Sequence, residues 1–127
     1  VCQATDAPAF VNQADLDLMG SLSTKIEGGI EAGDDISVGH QRLRARATPG
    51  HTNGGMSLVG DRLVFVGDAL FAGSMGGTRS QSDYQRQREA VRSEILALDE
   101  RVTLYPGHGP ATTVAEEKAN NPFFADS

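Results

Sequence analysis

The sequence of 127 residues holds one cysteine, Cys2. No disulfide can form within the chain and a paired-cysteine redox motif is excluded, so Cys2 reads as a small strand residue rather than a nucleophile. No stretch approaches the roughly twenty apolar residues that span a bilayer, and the first residues lack the charged-then-apolar order of a secretory leader. Basic residues are outnumbered, 11 Lys and Arg against 17 Asp and Glu for a net charge of −6, and they form no stripe interleaved with aromatics. Nucleic acid is therefore not an expected partner. These absences predict a soluble, cytoplasmic protein with no membrane and no nucleic-acid partner. Internal repeats, linkers and low-complexity segments are also missing, and 39% hydrophobic residues supply the core of a single domain.

The pattern of what is present alternates strands and helices. Val1 to Ala4 is a strand candidate, and the run from Asp6 and Pro8 to Met19 suggests a helix without a clear start. Ser21 to Gly33, with Gly28 and Gly29, reads as loop. Ile36 and Val38, then Leu43, Ala45 and Ala47 beyond a turn at Gly39, predict a pair of strands. Met56 to Val59 and Leu63 to Val66 flank "GDR" and predict a second hairpin, in which "LVFV" is expected to be buried on both faces. The glycine-rich run "ALFAGSMGGTRSQ" is expected to be a long loop over a site. Tyr84, Val91, Ile95 and Leu98 share one helical face and predict a helix over 82–98, with Ser82 and Gln85 as its capping box. Val102 to Tyr105 reads as a strand. Thr113 and Glu116 form a second capping box for a short helix that "NNPFF" ends. Strands followed by strand, helix, strand and helix predict an α/β (α+β) protein with helices packed on a sheet.

Histidine is scarce too, and its placement is informative. Of three histidines, His51 stands in "TPGHTNGG" and His108 in "YPGHGP", each behind a Pro-Gly pair that forbids helix and strand interior. Asp68 follows the apolar run "LVFV" through a single glycine. Sites gather in loops past strand ends, where a rigid scaffold aims side chains. Imidazoles and a carboxylate held there suit a transition metal. Taken singly, each has a plainer reading: a surface histidine in a turn, or an aspartate forming a turn or helix cap. Recurrence favours the metal. His40 lacks the pattern and is assigned a structural role in a turn. Arg79 is assigned to a solvated loop and Tyr84 to helix packing, although either could reach a substrate.

The segments "TPGHTNGGMSLVGDRLVFVGDALFAGSMGG" and "YPGHGPATTVAEEKANNPFF" together resemble the second half of the metallo-β-lactamase superfamily, in its glyoxalase II-like branch of hydroxyacylglutathione hydrolase-like enzymes. The resemblance covers residues 36–124. It implies half of an αββα sandwich, a mixed sheet with helices on one face. It also implies a site for two divalent metal ions, expected to be zinc with iron or manganese as alternatives, in which His51 ligates the first ion, His108 the second, and Asp68 bridges both. Asp68 is then also the catalytic residue. The activity implied is thioester hydrolysis by a metal-bound hydroxide.

The resemblance is incomplete. The family's His-x-His-x-Asp-His cluster, which supplies the remaining ligands, does not occur here. His51, Asp68 and His108 alone are too few for three protein ligands on each ion. Together with a start "VCQAT" that lacks methionine, this reads 1–127 as the C-terminal portion of a metallo-β-lactamase-fold domain, an incomplete and inactive fragment by itself. The expected partners are a small-molecule thioester and either the missing N-terminal segment or a second copy in a homodimer or exchanged assembly. Two other classes fit the residues: a mononuclear iron enzyme like persulfide dioxygenase, which shares the "GHT" loop, and a non-catalytic half-domain that assembles with a partner segment.

Overall fold

The computed structural model describes residues 10–25 and 28–124. The expected strand at Val1 to Ala4, with Cys2, lies outside them. Two short strands, β1 (Phe10–Val11) and β2 (Gly28–Gly29), pair in parallel. Between them runs a 3₁₀ helix, Gln13–Lys25, broken by a non-helical Gly20 with φ of 55°. The expected helix thus forms as a tighter and longer coil that enters the predicted loop, and β2 occupies another part of that loop.

Six further strands build one mixed sheet in sequential order: β3 (Asp35–Val38), β4 (Gln41–Ala47), β5 (Met56–Val59), β6 (Leu63–Gly67), β7 (Thr103–Pro106) and β8 (Thr112–Thr113). Both predicted hairpins are present, Ile36 opposite Leu43 and Val59 opposite Val64. Within this sheet, among the described residues, only β6 and β7 pair in parallel. A parallel pair needs a crossover, and helix α1 (Gln81–Glu94) provides it. Its N-cap is Ser80, whose hydroxyl accepts from Asp83 N at 3.0 Å. The cap thus falls two residues before the expected Ser82, because Ser80 is the residue with extended backbone, φ −152°. Helix α2 (Val114–Asn120) is capped by Thr113, which accepts from Glu116 N as its sequence predicts.

Both helices cover one face of the sheet. Val64, Val66 and Leu104 pack there with Val91, Ile95 and Val114, all at 0–1% exposure, and each such aliphatic side chain contributes about 1.5–3 kcal/mol by leaving water. The opposite face carries Leu58, Phe65 and Tyr105 in register across β5, β6 and β7. Phe65 and Tyr105 stack with ring centroids 5.6 Å apart, yet they remain 45% and 42% exposed. The expectation that "LVFV" is buried on both faces fails at Phe65 for this reason: no helix among the described residues covers that face. No helix among the described residues is long and apolar enough to cross a membrane.

Candidate metal centre

Strand direction brings the three expected site residues together. β4 and β6 are each antiparallel to β5, and β7 is parallel to β6, so β4, β6 and β7 all end on the same edge of the sheet. His51, Asp68 and His108 lie just beyond those ends. His40, by contrast, sits in the tight β3–β4 turn, where Gly39 has φ of 61°.

Asp68 presents a different oxygen to each imidazole. His108 Nδ1 lies 2.9 Å from Oδ1, and His51 Nε2 lies 3.4 Å from Oδ2. The close approach of the "PGHGP" loop needs a glycine, since a Cβ at Gly107 would stand 2.7 Å from Asp68 Oδ1. Gly107 N donates to Gly67 O at 2.8 Å, which ties the loops after β6 and β7 to each other.

The tautomer of His51 follows from its other nitrogen. His51 Nδ1 is 2.7 Å from the carbonyl oxygen of Gly77. A carbonyl only accepts, so Nδ1 carries the proton. In the neutral ring Nε2 then turns a lone pair toward a carboxylate oxygen, an unfavourable meeting unless positive charge lies between them. An imidazole whose second nitrogen is held by a backbone carbonyl is the usual arrangement of a metal ligand. The 3.4 Å separation also matches two ligand atoms each about 2.0–2.1 Å from one tetrahedral ion. The donor types therefore fit a divalent transition metal. Their number does not complete a site: among the described residues, no group of three or more His, Cys, Asp or Glu side chains could by itself hold an ion.

Residues outside the expected set hold this edge in shape. Asp15, in the 3₁₀ helix, accepts from Thr52 Oγ1 at 2.6 Å and from Gly54 N at 2.7 Å, and so anchors the His51 loop. The buried Thr48 and Ser57 hydroxyls bond to each other at 2.9 Å beneath that loop. Glu117, 2% exposed, accepts from Gly73 N and from Asn121 Nδ2. Asn121 in turn donates to Ser74 O at 2.9 Å. This pins the 71–74 turn and seats Phe71 edge-on to His108, centroids 5.9 Å apart. The sequence signal for Asp15 is slight: Asn12 caps the 3₁₀ helix through Ala14 N, and Asp15 looks like an ordinary first-turn acid.

A cavity of about 150 Å³ opens between Thr48, His51, Thr52, Met56, Val66 and Asp68. A second, of about 270 Å³, also reaches His51 and is lined by Asp15, Asp17, Asn53, Arg79 and Asp83. Arg79 is exposed, as expected of a loop residue. Tyr84 packs against Phe123, centroids 6.2 Å apart. A larger cavity of about 380 Å³, at Asp61, Arg62, Asp99 and Arg101, sits at the opposite ends of β6 and β7 and holds none of the three site residues.

Known proteins resemble the chain in sequence and in fold. A family model described as the metallo-beta-lactamase superfamily matches residues 1–113. A probable metallo-hydrolase of Streptococcus pyogenes serotype M6 is 45% identical over 80 residues, 61% of this chain and 34% of that protein. The hydroxyacylglutathione hydrolase GloC of Haemophilus influenzae is 36% identical over 78 residues, 59% of this chain and 37% of that protein. The crystal structure of ETHE1 from Myxococcus xanthus superposes with a TM-score of 0.80 at 27% identity, covering 95% of this chain and 53% of its own. The chain thus spans just over a third of the length of these two curated relatives.

Proposed function

The chain belongs to the metallo-β-lactamase superfamily, whose members are hydrolases or related enzymes, and from that membership we propose that residues 1–127 are the C-terminal portion of a two-metal thioester hydrolase. His51 would hold one divalent ion and His108 the other, with Asp68 shared between them. Zinc is the expected metal, and iron or manganese suits the same donors. Such ions supply a water acidified to a pKa of about 7 and polarise a carbonyl.

The work of this chain's own residues is to orient. Gly77 O keeps the proton on His51 Nδ1 and leaves Nε2 as the open donor. Asp68 fixes the spacing of the two imidazoles through its separate oxygens. His108 Nδ1 is the nitrogen that faces the shared carboxylate, 2.9 Å from Oδ1. The remaining ligands would come from a polypeptide that packs on the uncovered sheet face at Phe65 and Tyr105, either an N-terminal half or, for this chain alone, a second copy.

The observation that carries the proposal is the convergence of two imidazoles on opposite oxygens of one carboxylate. It is tested with the intact protein on S-lactoylglutathione, beside Asp68→Ala. Hydrolysis by the parent, with loss of both the rate and about one metal's worth of binding in the variant, supports the reading. Full metal content and rate in Asp68→Ala overturn it. Oxygen uptake with a persulfide and a single bound iron would favour the dioxygenase-like alternative.

A further inference from the structure

Helix α1 places one polar side chain on its buried stripe. Tyr84, Val91 and Ile95 mark that stripe, and Gln87 falls on it between them, with 0% exposure. Its amide nitrogen donates to two backbone carbonyls, Ala69 O at 3.1 Å and Gly76 O at 3.0 Å. Both acceptors border the metal-site residues. Ala69 follows Asp68, and Gly76 precedes Gly77, whose carbonyl holds His51 Nδ1. The same residue also supports the His51 loop from below. A Cβ at Gly50 would overlap the Gln87 Cβ and stand 2.8 Å from the Gln87 Cα.

The amide is held at a cost. Gln87 Oε1 is buried with no hydrogen-bond partner among the described residues, and a buried acceptor left unpaired is unfavourable. An apolar side chain would fill the same stripe without it. The orientation is nonetheless fixed, because only the NH₂ end can face two carbonyls.

We propose that Gln87 is a positioning residue for the metal centre, stapling both ends of the 69–76 loop so that Gly77 O selects the His51 tautomer and Asp68 keeps its reach. Its two hydrogens act on backbone rather than on substrate or metal. Removing them frees the loop, moves Gly77 O from the line of Nδ1 and lets the proton relocate to Nε2, the nitrogen that must stay bare. The proposal rests on the reading of His51 as a ligand for its consequence, while its primary test needs neither metal nor substrate.

The test is the metal-free protein and Gln87→Met, which keeps length and volume but cannot donate. Long-range ¹H–¹⁵N spectra report the tautomer of each histidine, taken about two pH units above the ordinary imidazole pKa of ~6.5. In the parent, His51 is expected as the Nδ1–H form. In Gln87→Met the Nε2–H form is expected to become populated, with His40 unchanged as the internal control and unfolding still cooperative. Zinc affinity of the intact protein is expected to fall about 10–100-fold, as for other residues that orient a ligand through its partner. A folded Gln87→Met with the His51 signature of the parent, or with unaltered zinc affinity, overturns the proposal. If Gln87→Met does not fold, Gln87→Asn takes its place. That variant is one methylene short of spanning both carbonyls, and the same His51 change is required of it.

Discussion

Gly76 lies against the backbone carbonyl of Asp68 so closely that a Cβ at residue 76 would overlap that oxygen, while standing 3.3 Å from His51 Nδ1. The loop that crosses the site can do so only because this position has no side chain, and the obstacle is backbone, which cannot rotate away. Gly76→Ala must therefore lift the loop from Asp68. The expected outcome is a folded protein destabilised by about 1–3 kcal/mol, the usual cost of forcing extra atoms into a packed site, with weakened metal binding. Denaturant titration and metal titration measure the two effects. Parent-like stability and affinity would show that the loop does not need this contact.

Asp15 tests whether the His51 loop is held from outside the sheet. Two hydrogen bonds to a carboxylate, from Thr52 Oγ1 and Gly54 N, span 37 and 39 residues of sequence. Hydrogen bonds to charged groups contribute about 1.5–3 kcal/mol. Asp15→Ala is expected to destabilise by about 2 kcal/mol and to raise amide exchange at 52–55 above the global rate, with Asp15→Asn milder because one acceptor remains. Uniform exchange across the chain in Asp15→Ala would mean that the loop holds itself.

What could be read in the sequence was whatever depends on neighbours along the chain. The hairpins at Ile36 and Met56, the Thr113 cap and the strand-end position of His51, Asp68 and His108 are all local patterns of apolar alternation and Gly-Pro punctuation. The misreadings have one cause. Phe65 looks like core because its own strand is apolar, but burial depends on what covers the sheet, and the helices lie on the other face. Ser82 and Ser80 are equally good caps by composition, and backbone geometry chose between them. Asp15, Glu117 and Gln87 were missed as site residues because their partners lie 11 to 44 residues away. For Gln87 a signal existed: a glutamine on an otherwise apolar helical stripe.

The uncovered sheet face predicts association. Phe65 and Tyr105 form an exposed aromatic pair in line with Leu58, and contiguous apolar surface of this kind marks an interface. By itself the chain is expected to form a dimer or exchanged assembly in light scattering. The double substitution Phe65→Glu and Tyr105→Glu is expected to give a monomer without loss of the helix-covered core, because neither side chain enters it. A folded parent that scatters as a monomer would remove the proposed interface.

Far from the site, the turn between α1 and β7 carries a local pH response. The Arg101 side chain, and after it the Arg101 backbone amide, hold the Asp99 carboxyl at about 2 instead of 3.8, through Nε at 3.2 Å, Nη2 at 3.2 Å and the amide at 2.9 Å. Because the folded value is depressed, the carboxylate favours the fold above the unfolded value near 3.8, and that contribution fades as pH falls through about 2. The pair is exposed, so its share of stability is small and salt-sensitive, but its titration is a sharp marker. The Asp99 carboxyl carbon is expected to titrate near 2 by NMR, and Asp99→Asn to remove the dependence of the neighbouring Val102 amide shift on pH between about 4 and 2. A midpoint near 3.8 would mean that Arg101 does not hold this turn.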